Sequence, residues 1–269
     1  MAKLPNVTKK RILDYLKEGK RFDGRKPLEF RDIKIETKII KKAEGSARVR
    51  LGDTEVLAGV KLDTMEPYPD SPDSGNLMIT AEFSPMASEL FEKGPPSIEA
   101  IELARIIDRG IRESEVIDLK KLCIKEGEKV WSVMIDIYPI NNGGNLIDAC
   151  SLAAMAALKT TVLPKLTEEN KVKYGDFSTK KLPLRDAYPL TMTFHKVGDQ
   201  FLLDPTTEEE GASEARLSLA LSMSKKEEMV HAMQKGGEAT LSIDEVNTIL
   251  DTSKNEIKKL LSVFEKSIK

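Results

Sequence analysis

Between Asp204 and Leu217 the sequence DPTTEEEGASEARL gathers Asp204, Glu208, Glu209, Glu210 and Glu214 and then places Arg216 after them. Carboxylates at this density suit a hard divalent cation with oxygen ligands, and so metal-assisted phosphate chemistry. Arg216 opposes that reading. At an effective dielectric of about 20, a guanidinium roughly 4 Å from a divalent ion is unfavourable by about 8 kcal/mol before screening. A run of Glu is also the ordinary composition of a solvated turn, and the run alone leaves both readings open.

Two further stretches have the residue types for phosphate recognition. Arg105, Arg109 and Arg112 fall within an arc of about 60° on a helix, opposite Leu103, Ile106, Ile107, Gly110 and Ile111. A guanidinium fork donates two hydrogen bonds to one phosphate, which makes such a stripe a polyanion candidate. Glu102, Asp108 and Glu113 lie three or four residues away and suit an ordinary ion-paired surface equally well. The second stretch is NNGGNLIDA, Asn141 to Ala149, a glycine pair between a strand and an apolar helix. Backbone amides and the positive end of the helix favour an anion there, although a tight turn needs the same glycines. No basic side chain completes that site. His195 and His231 are distant in sequence, and neither a nucleophile elbow nor a P-loop is present.

The elements that position these residues follow from periodicity. A helix is expected over about Val7–Glu18, then strands around Ala47–Leu51 and Val56–Leu62 joined through Gly52-Asp53, and a strand through Leu77, Ile79, Ala81 and Phe83. A helix from Ser97 to about Ser114 carries the arginines. Lys129–Ile140 reads as a strand, and Leu146 to Leu163 as a buried helix that starts at the glycine pair. Thr167–Pro189 has few apolar residues and several charges and reads as a connecting loop or a subdomain boundary. Leu190–Phe194 and Phe201–Leu203 form a hairpin through Gly198-Asp199, Leu217–Met223 is a further strand, and Ser242 with Glu245 makes a capping box for a last helix. Strands followed by helices, twice over, give two related α+β halves.

The chain has 269 residues, of which 40% are apolar and 32% charged, with a net charge of −2. That describes an ordered, well-solvated protein whose overall charge gives no sign of nucleic acid, so any polyanion must meet a local basic face. Cys123 and Cys150 form no C-x-x-C pair and read as buried small hydrophobes in a reducing cytosol, hence a cytoplasmic location. The Lys-rich start MAKLPNVTKKRILDYLKEGK is neither signal peptide nor membrane span, and no later segment is apolar enough to cross a bilayer.

In order, RFDGRKPLEFRDI, GSARVRLGDTEVLAGV, ARIIDRGIRES, NNGGNLIDACSLAAMAAL and DPTTEEEGASEARL resemble the RNase PH family, and within it the non-catalytic ring subunits of the archaeal exosome. The resemblance spans about Arg21 to the C-terminus. It implies a duplicated β-α fold, with a core like the second domain of ribosomal protein S5 followed by a second RNase PH domain. The expected division is a helix over 1–20, a first domain over 21–183 and a second over 184–269. It also implies a hexameric ring of three heterodimers with a catalytic RNase PH-like partner, RNA-binding cap proteins, and 3′-to-5′ phosphorolysis of single-stranded RNA in a central channel.

Carried over residue by residue, the resemblance makes this chain's own site degenerate. The last acid of the catalytic loop corresponds to Arg216, Glu210 matches the acid before it, and the phosphate-binding Gly-Ser-Arg or Gly-Gly-Thr-Arg corresponds to Gly143, Gly144, Asn145 and Leu146, without the arginine. No catalytic residue, metal or cofactor is therefore expected in this subunit, and inorganic phosphate and Mg²⁺ belong to the partner's site. The resemblance also makes Arg105, Arg109 and Arg112 the expected RNA contacts. An active metal-dependent phosphorolytic enzyme using Asp204, Glu209 and Glu210, or a scaffold without RNA contact, are the alternatives.

Overall fold

The computed structural model describes residues 4–224 and 227–268; residues 1–3 of the Lys-rich start lie outside it. Helix α1 (Asn6–Lys17) buries Ile12 and Leu16 and leaves its lysines outside. The first sheet contains β1 (Ile33–Thr37), β2 (Gly45–Leu51), β3 (Thr54–Met65) and β4 (Asn76–Ala81). After α2 (Ile98–Glu113), it is completed by β5 (Cys123–Lys125) and β6 (Lys129–Asn141). The order is β1-β2-β3-β6-β4 with β5 beside β6, and β4 is the strand that runs parallel to its neighbour. Strict alternation sets the inner face: Thr54, Val56, Ala58, Val60 and Leu62 are buried and the residues between them less so. Gly52-Asp53 makes the two-residue turn between Leu51 and Thr54, with Gly52 in the left-handed region at φ +56°.

Helix α3 (Leu146–Lys159) is buried almost all round from Asp148 to Leu158. It ends four residues short of the Leu163 expected, because Val162–Leu166 is a strand, β7. The expected loop over Thr167–Pro189 is corrected as well, since β8 (Val172–Lys181) pairs antiparallel with β7. β8 is exposed along nearly its whole length, so it needs no apolar alternation and its composition resembles a loop, while β7 packs Leu163 and Leu166 on the core. The second sheet comprises β9 (Leu190–Val197), β10 (Gln200–Leu203), β11 (Ala215–Ser224) and β12 (Glu227–Gly237), ordered β10-β9-β11-β12 and antiparallel throughout. Helix α4 (Thr207–Ala212) precedes β11, and α5 (Ile243–Ser267) ends the chain behind the expected Ser242–Glu245 capping box.

Helices α2, α3 and α5 lie between the two sheets: α3 touches β2 and β3 on one side and β9 on the other, and α2 touches β4 as well as β11 and β12. One continuous core therefore runs through both halves. Gly110 is on the inner face of α2 for a steric reason, since a Cβ there would stand 2.9 Å from that of Ala220 on β11. Cys150 is fully buried with its thiol pKa raised by desolvation, whereas Cys123 on β5 is only partly covered, contrary to expectation. Among the described residues no helix is long and apolar enough to cross a membrane.

Candidate functional site

The segment Arg21–Arg31 threads three arginines into the junction between the halves, and these determine what the acidic loop is. Arg21, whose side chain is 0% exposed, donates from Nε to Glu209 Oε1 at 2.8 Å, from Nη2 to Glu209 Oε2, and from Nη1 to the Leu203 carbonyl. Arg31 grips Asp204 with Nε at 2.8 Å and Nη2 at 2.6 Å, and donates to the carbonyls of Gly143 and Gly144. Arg25 reaches the same carboxylate at 3.1 Å. Asp204 itself is wholly buried and in the left-handed region at φ +48°. Two of the expected candidate acids are thus the internal halves of buried, bidentate ion pairs.

The remaining acids of the loop are accounted for one by one. Glu209 also closes a capping box with Thr206 at the start of α4. Glu214 pairs with Lys9 of α1 at 3.3 Å, and Glu208 is exposed. Glu210 turns towards α3, where its Oε1 accepts the Asn145 N–H at 2.8 Å. The anion seat at the head of that helix is filled by the chain's own carboxylate. The glycine pair serves close packing: Gly144 has φ +95°, and a Cβ on it would stand 2.5 Å from the Pro205 carbonyl oxygen. Gly143 lies against Asp53 and Thr54 in the same way, and Leu146 contributes an apolar side chain to the core. Asn145, at φ +56°, donates from its side chain to both Asp148 and Asp204.

Among the described residues Arg216 makes no ion pair with the acids of the loop. Its Nη2 donates to Glu102 Oε2 on α2 at 2.6 Å, and the guanidinium packs where a Cβ on Gly236 would come within 2.7 Å of its Cζ. Its neighbour across the sheet, His195, is buried and held neutral, with its pKa lowered to about 3 by desolvation and then by the Arg216 charge. The residues present do not fit a catalytic metal: Asp204 and Glu209 are neutralised by guanidinium groups, and a further one stands at position 216.

Burial leaves two carboxyls titrating near neutrality. Desolvation raises Glu210 to about 7 against the pull of the Asn145 N–H and the nearby Arg216 and Arg31, and raises Asp148 to about 7 against hydrogen bonds from Thr193 and Asn145. Both folded values lie above the unfolded ones, so the native state binds more protons than the unfolded chain between about pH 4 and 7. Their contribution to stability is then full at the acid end and declines as pH rises to about 7, levelling beyond it. Glu210→Gln is expected to remove one of these steps. Thermal melts of the two proteins from pH 4.5 to 8 check this: the wild-type Tm should fall relative to the variant up to about pH 7, and a constant difference counts against it.

On the outer face of α2 the three arginines are brought together as their spacing predicts, all of them exposed. Arg112 pairs with Asp108 at 2.7 Å and Arg109 with Glu113 at 3.3 Å. The expected pairing of Glu102 within the helix does not occur, because Arg216 holds it. Among the described residues Arg105 is left with no carboxylate within ion-pair distance. It lines, with Arg109 and Asp108, a groove of about 350 Å³ whose floor is Ile79, Ala81, Ala100 and Ala104.

Sequence reasoning missed Arg21, Arg25 and Arg31 as site residues, although the motif that contains them was part of the resemblance; their partners are more than 170 residues away. Comparison with known proteins agrees with that resemblance. Residues 29–164 match the first domain of the 3′ exoribonuclease family and residues 187–256 match its second domain. The chain is 45% identical over 254 residues to the exosome complex component Rrp42 of Methanocella arvoryzae, covering 94% of each chain. It is 43% identical to that of Methanothermobacter thermautotrophicus, covering 98% of this chain and 97% of the relative. It superimposes with a TM-score of 0.87 on a chain of the Archaeoglobus fulgidus exosome with RNA bound to the active site, at 43% identity, covering 96% of this chain and 98% of that one. An archaeal exosome core gives a TM-score of 0.82 at 41% identity, with 97% of both chains covered. With both domains matched and relatives aligned over almost its whole length, this chain belongs to the RNase PH family of 3′ exoribonucleases.

Proposed function

We propose that this chain is the non-catalytic ring subunit of an archaeal exosome, a 3′-to-5′ phosphorolytic RNA-degrading complex. It borders the active site of a catalytic RNase PH-like partner and guides single-stranded RNA towards it through α2. The observation that carries this reading is a contrast: every buried acid of the loop is committed to a partner inside the chain, while the arginines of α2 remain at the surface. A site whose acids are already bonded within the chain offers no free carboxylate pair for a metal in phosphoryl transfer, which supports placing the chemistry in the neighbour. In this reading the ring is built from three heterodimers, RNA-binding cap proteins sit on it, inorganic phosphate and Mg²⁺ are used by the partner's site, and the complex works in the cytoplasm.

The RNA contact is tested in the assembled complex. Replacing Arg105, Arg109 and Arg112 by Glu should weaken binding to oligonucleotides of any sequence and flatten its salt dependence by about 0.7 in slope per lost phosphate contact. Arg105 should account for the largest share, because Arg109 and Arg112 already spend part of their charge on Glu113 and Asp108. If affinity and slope both stay at the wild-type values, the ion pairs describe the whole role of this helix face and the chain is a scaffold.

A further inference from the structure

We propose that Arg216 is a positioning residue for RNA binding: by holding Glu102 it keeps Arg105 unpaired and available to a phosphate. The inference rests on the reading of α2 as the RNA-facing helix. Arg105 has a carboxylate three residues to either side, Glu102 and Asp108, and residues so spaced are neighbours on a helix surface. Left to themselves, these acids would neutralise it. Asp108 is instead taken by Arg112, through contacts of 2.7 and 3.0 Å, and Glu102 is drawn off the helix by Arg216 at 2.6 Å.

The geometry favours the cross-element pair over the local one. The Arg216 side chain is 14% exposed and that of Glu102 33%, so water and salt screen their attraction less than they would screen a pair on the open face of α2. Gly236, opposite Arg216 on β12, leaves the space through which the guanidinium passes, since any side chain there would collide with it. Neutral His195 on the other flank presents no competing cation. As a stabilising device the arrangement is poor, because Arg216 Nη1 is buried without a hydrogen-bond partner among the described residues. As a device for removing a carboxylate from beside Arg105 it is effective. An Asp at position 216 could not do this, since it would repel Glu102.

The test uses the ring reconstituted with its catalytic partner, without phosphate so that RNA is not consumed, and a labelled single-stranded oligoadenylate titrated at several KCl concentrations. Arg105→Ala should weaken binding by about tenfold, the size of one charge-assisted contact. Arg216→Met should weaken it by about twofold, as Glu102 closes on Arg105 with the strength of an exposed i,i+3 pair. Adding Glu102→Gln to Arg216→Met should restore wild-type affinity, and Arg216→Met should have no further effect on top of Arg105→Ala. Arg216→Lys, which keeps a cation near Glu102, should resemble wild type. Glu102→Gln alone should not weaken binding; if it weakens binding as Arg216→Met does, the pair is a mechanical strut and the inference is overturned. An unchanged affinity in Arg216→Met beside a weakened Arg105→Ala overturns the inference and leaves the RNA-facing reading standing, whereas an unchanged Arg105→Ala removes that reading first. If Arg216→Met does not assemble, Glu102→Gln and Arg216→Lys decide.

Discussion

Arg21→Met is expected to destabilise the protein by about 3–5 kcal/mol, the loss seen when one partner of a buried ion pair is removed and the other is left uncompensated. For a chain of this size that corresponds to a fall in Tm of roughly 6–20 °C. The reason is specific to Glu209: it is 3% exposed, and Arg21 is the only cation paired with it among the described residues. Arg21 also donates to the Leu203 and Asp204 carbonyls, so its removal takes a donor from each at the end of β10, although Arg25 still reaches the Asp204 carbonyl at 3.1 Å. Adding Glu209→Leu to Arg21→Met should recover much of the loss, because a buried pair replaced by apolar groups of similar size is often close to neutral. Recovery will stay incomplete by about 1 kcal/mol, since Glu209 is also the reciprocal half of the α4 capping box. Thermal melts of the two variants decide it, and a single-variant shift within a degree or two of wild type would mean that the pair is open to water.

This cluster also shows where sequence reasoning succeeds and where it stops. Local signals were legible because their physics is local: Gly52-Asp53 and Gly198-Asp199 turn their hairpins, Ser97 caps α2, and Ser242 with Glu245 starts α5. The β7–β8 hairpin and β12 were not legible. In the first, β8 is exposed along nearly its whole length, and the second lies at a sheet edge with Met229, Val230 and Met233 exposed, so neither strand has to alternate. In the site, the stripe of Arg105, Arg109 and Arg112 followed from helical period alone. Which of them would be neutralised did not, since spacing offers Glu102 to Arg105 and only the fold brings Arg216 close enough to take it. The same holds for the acidic loop. Its composition suggests a cation site, and the three arginines that cancel it come from a segment more than 170 residues earlier.

The saturation of that loop leads to the strongest functional expectation. The chain purified without a partner should release no nucleoside diphosphate from RNA in the presence of phosphate and Mg²⁺. Arg216→Asp should not change this, although it would put an acid at the position where the family resemblance implies one in catalytic members. Three obstacles would remain in that variant. Asp204 would still be bound by Arg25, Arg31 and Asn145, and Glu210 would still be turned onto the Asn145 N–H. At Leu146 there would still be no guanidinium to hold phosphate. The new carboxylate would also face Glu102 and stand near Glu210 with no cation between them, so the variant should be less stable than wild type as well as inactive. Chromatographic detection of nucleoside diphosphates, before and after addition of the catalytic partner, separates the cases: no turnover alone, turnover in the mixture, and a Tm raised by linkage of folding to assembly. Turnover by Arg216→Asp alone would show that Asp204 can leave its two arginines, and the buried ion pairs at the domain junction would then have to be read as a latch that opens.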